Sequence, residues 1–234
     1  MILLISLLAG LLQGITGFGS GIVLMMYLPY VCSITHSAAI TSAICIALSA
    51  TMVYQYRQTI NIKKVMIPLV LYMLTCTLTI SYASMLNALF LKKALGVFLI
   101  FLAVYYLFIQ KDNKQLKMNI GLSALCIVIS AICDGLFGIG GPLMVLYFMN
   151  KTKGQKEYLG CIQLFFLINN VYNTCFRIFK GILTVHQVTF VFIGAIGIMI
   201  GTIIARKVID YIDEKNVKKI IYIVIGISGI MNLL

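Results

Sequence analysis

The chain has 234 residues, of which 62% are hydrophobic and only 10% are charged, whereas soluble domains carry about 25% charged residues. This composition excludes a soluble enzyme or binding domain, because too few polar residues remain to cover its surface, and it predicts an all-α polytopic membrane protein in contact with the lipid bilayer. The formal net charge of +12 does not indicate nucleic-acid binding, since the basic residues lie in short loops between apolar segments, as the positive-inside rule describes.

The hydrophobic pattern predicts eight membrane units, four in each half of the chain. These units are 1–30, 37–56, 65–90 and 93–110 in the first half, and 119–149, 157–177, 184–206 and 217–234 in the second. A unit of this kind approaches or exceeds the ~20 apolar residues that cross a bilayer. The N-terminal run has no basic segment before it and no small-residue cleavage site, so we expect it to remain in the mature protein.

A glycine-rich break interrupts the first unit of each half. Gly14–Gly21 reads Gly-Ile-Thr-Gly-Phe-Gly-Ser-Gly, and Gly135–Pro142 reads Gly-Leu-Phe-Gly-Ile-Gly-Gly-Pro, at an offset of 121 residues. Paired breaks at matching places in two halves are typical of transporters built from internal repeats. We therefore interpret 1–110 and 119–234 as two repeats of a single transmembrane domain, with 111–118 as their junction loop.

The lysines and arginines indicate how the broken units meet the membrane. If every unit crosses, the two faces receive 8 and 10 basic residues, but if 119–149 folds back as a hairpin of two half-helices, they receive 14 and 4. Because membrane orientation follows such an asymmetry, we expect the hairpin in the second half. For 1–30 the charges decide nothing, and we expect a hairpin there by repeat symmetry alone. Three crossings and one hairpin per half would invert the repeats relative to one another.

The two breaks are the candidate substrate site. A half-helix that restarts inside the membrane directs its N-terminal N–H groups and the positive end of its dipole at the midplane, where they suit a small anion. Glycines also let the backbone approach an anion closely. The alternative is close helix packing of the GxxxG type, which needs no ligand. A dinucleotide-binding fingerprint is excluded, because no strand–helix–strand pattern surrounds the glycines. The candidate substrate-binding residues of the breaks are Gln13, Thr16, Gly17, Gly19, Ser20, Gly138, Gly140 and Gly141.

Asp134 is the only acidic residue deep within a hydrophobic unit. An ionisable group inside a membrane is costly and marks a functional site by default, so Asp134 is a candidate for proton coupling. The alternative is that its carboxyl group caps the backbone N–H groups of 135–137. Its counterpart Gln13 cannot titrate, so any proton role belongs to one half.

The second unit of the second half carries four amide side chains, including Asn169. Gln163, Asn170 and Asn173 lie on roughly one side at helical spacing. These three are further candidate substrate-binding residues, although amides in membrane helices also join neighbouring helices by hydrogen bonds.

Arg57 and Arg177 end matching units of the two halves. We expect both side chains to reach the membrane interface, with attraction of anions as the alternative.

The cysteines and histidines indicate no cofactor and no metal. The seven cysteines lack a C-x-x-C spacing and there are only two histidines, so neither a disulfide framework nor a metal cluster is indicated.

Through Gly14–Gly21, Gly135–Pro142 and Arg177–Ile182, the chain resembles the sulfite exporter TauE/SafE family, also called TSUP, over essentially its whole length. Ser20 and Pro142 stand where that family often has glycine. The resemblance implies a secondary transporter of the cell (cytoplasmic) membrane for a small inorganic or organosulfur anion, namely sulfite, thiosulfate or an organosulfonate. It leaves open the anion, the direction of transport, the coupling ion and the oligomeric state. The alternatives are a membrane-embedded enzyme, for which the chain offers few catalytic groups, and a non-transporting membrane scaffold.

Overall fold

The computed structural model describes residues 1–83, 85–104, 119–208 and 214–233. The predicted junction loop 111–118 lies outside these described residues. Two 3₁₀ turns, Leu28–Tyr30 and Arg57–Thr59, follow the second and third helices. The α-helices are α1 (Ile2–Thr16), α2 (Ser20–Tyr27), α3 (Ile34–Tyr56), α4 (Ile62–Ala83), α5 (Ala88–Val104), α6 (Ile120–Phe137), α7 (Gly141–Lys151), α8 (Gln155–Phe179), α9 (Val185–Val208) and α10 (Glu214–Leu233).

The described part of the chain contains helices and no strand, which confirms the all-α class. Five apolar stretches within it are long enough to cross a membrane: Ile34–Thr59, Ile62–Ala83, Ile120–Phe137, Gln155–Phe179 and Gln187–Ala205. Large apolar side chains on the outer surface of α4 are more than 60% exposed, as a lipid-facing helix requires. They are Ile67, Val70, Leu74 and Leu78. The protein is therefore a multi-pass membrane protein.

Glycines end the helices at both breaks. α1 stops at Thr16, because Gly17 adopts φ 82° and donates its N–H to Gln13 O, and α2 starts after Gly19 at φ 106°. Gly138 ends α6 in the same left-handed conformation, with φ 66°. Residues with a side chain rarely adopt this conformation, so the helices end where glycine permits it.

Helix α6 packs on α4 in the parallel direction. Tyr72 Oη donates a hydrogen bond of 3.3 Å to Ser130 O. Further towards the C-terminus of both helices, Gly135 lies against Thr79, and a Cβ added to Gly135 would come within 2.6 Å of the Thr79 Cβ. Since both contacts advance together along the two helices, α4 and α6 begin on the same face of the molecule.

Helix α1 packs on α9 in the same parallel manner. Gly10 lies against the backbone of Ile198, and Gly14 lies against Ala205. Small residues at such contacts let two helix backbones approach closely. As a result α1 and α9 also begin on a common face.

Polar contacts join the ends of helices from the two halves. Thr59 Oγ1, just before α4, donates to Lys156 O, in the first turn of α8, at 3.0 Å. Lys64 Nζ forms an ion pair with Glu157 Oε1 at 2.7 Å in the same region. At the other end of α3 and α8, the Gln187 amide nitrogen lies 3.1 Å from His36 Nδ1, so the first turn of α3 meets the first turn of α9.

Candidate functional site

The two glycine breaks meet inside the helical bundle. Gly21 lies so close to the second break that a Cβ on it would be 2.7 Å from Gly138 O. A cavity of about 40 Å³ lies between the breaks. Its lining comes from α1, α2, α3, α6, α7 and α8: Gln13, Gly19, Ser20, Gly21, Ile22, Cys45, Asp134, Gly138, Ile139, Gly140, Gly141, Pro142, Phe166, Asn169 and Asn170.

Most of the predicted site residues line this cavity. Those that line it are Gln13, Gly19, Ser20, Asp134, Gly138, Gly140, Gly141 and Asn170. Four others lie behind the lining: the Thr16 hydroxyl bonds to backbone carbonyls, Gln163 and Gly17 bond to each other, and Asn173 bonds to Asp134.

Sequence reasoning missed the contribution of α3 to the cavity. Cys45 lines it from this helix, and its Sγ lies 3.2 Å from Ser20 Oγ. A signal was available, because small polar side chains recur every fourth residue along α3 and therefore share one face. These residues are Ser37, Thr41, Cys45 and Ser49, and all four are buried.

Gln13 closes the first break by hydrogen bonds. Its Oε1 accepts from the backbone N–H of Ser20 at 3.1 Å and also from the Ser20 hydroxyl. Its Nε2 donates to Gln163 Oε1 at 3.3 Å, and Gln163 Nε2 donates to Gly17 O at 2.7 Å. Gln13 thus acts as a side-chain cap for the N-terminus of α2, although it precedes that helix by seven residues.

Asp134 is bound by the amides of α8. Its side chain is buried, and its Oδ2 accepts from Asn169 Nδ2 at 2.6 Å and from Asn173 Nδ2 at 2.9 Å. The Cys76 thiol lies 3.7 Å from the same oxygen. Residues 135–137 continue α6, so the carboxyl group binds these side chains and not the N–H groups that follow it.

The expectation that both arginines reach the membrane interface is wrong for Arg177. This side chain is 1% exposed, because it extends from the end of α8 to backbone carbonyls of α3 and α6. Its Nη2 donates to Asp134 O at 3.3 Å and to Gly135 O at 2.8 Å, and its Nη1 donates to Thr35 O at 3.4 Å. A cation near the C-terminal end of α6 is favoured by the helix dipole. Arg57, in contrast, is exposed, and its guanidinium lies 4.8 Å from the Tyr54 ring centre.

Tyr72 and Ser130 pack against the second break at Gly140. The Ser130 hydroxyl donates to Gly140 O, and the Tyr72 hydroxyl occupies the space that a side chain on Gly140 would need. Gly140 is therefore required for packing. Next to it, a Cβ on Gly141 would meet the Phe18 Cβ at an ordinary 3.5 Å.

The described residues contain no group of three His, Cys, Asp or Glu side chains that could hold a metal ion. The polar groups of the residues that line the cavity are amides, the Ser20 hydroxyl, the Cys45 thiol, backbone groups and the Asp134 carboxyl. Amide and N–H donors of this kind can bind the oxygens of a small anion by hydrogen bonds.

Comparison with known proteins gives one result. The family described as Sulfite exporter TauE/SafE matches residues 2–232, a range that contains both glycine breaks and the residues that line the cavity. No curated protein and no solved structure gives a match. Members of the matching family are membrane transporters and not enzymes. From its helical membrane fold and a match over almost its full length, the chain belongs to the sulfite exporter TauE/SafE family.

Proposed function

We propose that the protein is a secondary transporter that carries a small sulfur-containing anion, such as sulfite, thiosulfate or an organosulfonate, across the cell membrane. The observation that carries this proposal is the cavity between the two glycine breaks, which backbone of both breaks and amide side chains line within the helical bundle. Membership in the TauE/SafE family supports sulfite and related anions as substrates.

In this proposal the two halves are inverted repeats, each with a re-entrant hairpin. For the α6–α7 unit, the parallel packing of α4 and α6 supports a start on the face where α4 starts. The bond between Thr59 and Lys156 supports an end on that same face. The first half gives matching support, since α1 runs parallel to α9 and the start of α3, which follows α2, meets the start of α9 through His36 and Gln187.

The same arrangement agrees with the distribution of basic residues. The segments 57–64 around the start of α4 and 151–156 between α7 and α8, which contact each other, carry five lysines. Because such loops remain on the cytoplasmic side, we place this face in the cytoplasm. The α6–α7 hairpin then enters from the cytoplasmic face and the α1–α2 hairpin from the opposite face.

The cavity has the chemistry of a site for a small oxyanion. The N-termini of α2 and α7 both face it, and the positive ends of their dipoles favour a negative charge. The buried guanidinium of Arg177, which binds the carbonyls of Asp134 and Gly135, adds a fixed positive charge behind the second break. A cavity of about 40 Å³ admits only a small group, so an organosulfonate would place its sulfonate head there.

Asp134 is the proposed proton-coupling residue. A carboxylate in the cavity wall repels an incoming anion, and protonation removes this repulsion. The amides around it are suited to both states, because an amide offers donors to a carboxylate and, after rotation by half a turn, an acceptor to a protonated carboxyl. Asn169 and Asn173 donate to Asp134, and their amide oxygens bond to no described group.

Flux measurements in proteoliposomes test the proposal. Purified protein is reconstituted, and uptake of sulfite, thiosulfate, an organosulfonate and sulfate is followed with and without a pH gradient. We expect saturable flux of at least one of the sulfur-containing anions, and acceleration by the gradient. Absence of flux for every anion would exclude a carrier and favour a scaffold, whereas chemical conversion of an anion would favour an enzyme.

A further inference from the structure

The two breaks place corresponding residues in unlike hydrogen-bonding states. Ser20 is the first residue of α2 and Gly141 is the first residue of α7. These two positions correspond at the repeat offset, and so do Gln13 and Asp134. A comparison of the two N-termini therefore shows what each half contributes to the cavity.

In the first half the helix N-terminus is already occupied. Gln13 Oε1 accepts the N–H of Ser20 at 3.1 Å and the Ser20 hydroxyl as well. The remaining hydrogen-bonding group of that amide, Nε2, is engaged by Gln163. This is an internal ligand, because a carbonyl oxygen lies where an anion oxygen would otherwise bind.

In the second half the same position is open. Asp134 corresponds to Gln13, but its Oδ2 is held by Asn169 and Asn173 on α8. No described residue accepts a hydrogen bond from the N–H of Gly141, and Pro142 has no N–H to offer. The N-terminus of this eleven-residue helix thus faces the cavity without a cap.

A buried side chain points to a ligand at this open end. Asn170 is 9% exposed and lines the same cavity as Gly141. Its amide has no hydrogen-bond partner within the described part of the chain, although the two amides nearest to it along α8, Asn169 and Asn173, are both engaged with Asp134. The Asn170 amide therefore lines the cavity with its hydrogen-bonding groups free to bind a ligand.

We infer that the anion is held by the second half alone, through the N–H of Gly141 and the side-chain amide nitrogen of Asn170. Gln13 takes the equivalent place in the first half as a permanent internal ligand. This inference rests on the proposed function, since it assigns the coordination of the transported anion. It makes the anion site one-sided, although the repeat provides two similar glycine breaks.

Equilibrium binding of radiolabelled sulfite to the purified protein in nanodiscs tests this assignment. Asn170→Ala should weaken binding about tenfold or more, as expected for loss of a hydrogen bond to a charged group. Asn170→Asp keeps the size of the side chain and replaces a donor with a negative charge, so it should abolish binding. The unfolding temperature without sulfite shows whether each variant is folded.

Matched variants separate a one-sided from a two-sided site. Ser20→Ala, in the first half, should change sulfite affinity less than about threefold, because its hydroxyl binds Gln13. Gln13→Ala should not weaken binding, since this side chain does not touch the anion in our assignment.

The outcomes distinguish this assignment from the transport proposal. Unchanged affinity in folded Asn170→Ala or Asn170→Asp, or an equal loss in Gln13→Ala, would overturn the one-sided site while wild-type flux still supported a carrier. Absence of both binding and flux in the wild-type protein would overturn both proposals.

Discussion

The amide nitrogen of Asn169 lies 2.6 Å from Oδ2 of Asp134. This bond joins α8 to the last turns of α6, beside the point where the second glycine break begins. It fixes the one carboxyl group of the cavity wall against an amide, inside a protein whose surface is lipid-facing. The chemistry of the proposed cycle therefore depends on a few buried side chains.

Asp134→Asn should uncouple flux from pH. An asparagine has nearly the same size but cannot exchange a proton, so we expect sulfite flux that no longer responds to a pH gradient, while sulfite binding persists. Flux in proteoliposomes at several pH values measures this. Glu157→Gln is the control, because Glu157 lies at the start of α8 and pairs with Lys64; this variant should keep the response. If the flux of the Asp134→Asn variant depended on pH as in the wild type, Asp134 would have only a structural role.

Arg177→Met should destabilise the protein by roughly 3 kcal/mol, because it removes charge-assisted hydrogen bonds from buried carbonyls of α6 and α3. Arg177→Lys should recover only part of this, since an ammonium group lacks the planar fork of a guanidinium. Arg57→Met is the matched control at the end of the corresponding helix and should stay within about 0.5 kcal/mol of wild type. Denaturant unfolding in detergent measures all three. Equal stability of the Arg177→Met and Arg57→Met variants would contradict the buried role.

Gly140→Ala and Gly141→Ala should differ sharply although they are neighbours. A methyl group on Gly140 overlaps the Tyr72 hydroxyl and comes within 2.9 Å of the Asp134 Cβ, whereas one on Gly141 meets the Phe18 Cβ at 3.5 Å. Crowding of this kind costs about 1–3 kcal/mol. We therefore expect Gly140→Ala to lower the unfolding temperature and the flux, and Gly141→Ala to leave both near wild type. Normal behaviour of both variants would show that the second break tolerates side chains.

Single cysteines should report the re-entrant topology. The proposed hairpin places Asn119 and Lys153 on one face and Lys180 on the other, and all three are exposed. In a background without the seven native cysteines, an impermeant thiol reagent applied to intact cells should label a cysteine at position 180 only. Labelling after lysis shows that all three sites can react. Opposite labelling of positions 119 and 153 in intact cells would disprove the α6–α7 hairpin and the inverted repeat with it.

The sequence by itself determined the class of the protein and the position of its breaks. An apolar composition with few charges leaves helices in a membrane as the solution for the backbone, and only glycine readily adopts the φ of 66–106° seen at Gly17, Gly19 and Gly138. Asp134 was equally visible, because a carboxyl group within an apolar unit is rare. These features are local, so they can be found without knowledge of the fold.

Only the tertiary structure decided how these residues are paired. The spacing of the α8 amides places them on one side of a helix, but the register of α8 against α6 decides that Asn169 and Asn173 bind Asp134 while Asn170 faces the cavity. The position of Arg177 beside carbonyls of α3 and α6 likewise buries its side chain, whereas its counterpart Arg57 stays exposed. Similar sequence positions thus reach different environments, because burial depends on contacts between helices that are distant in the chain.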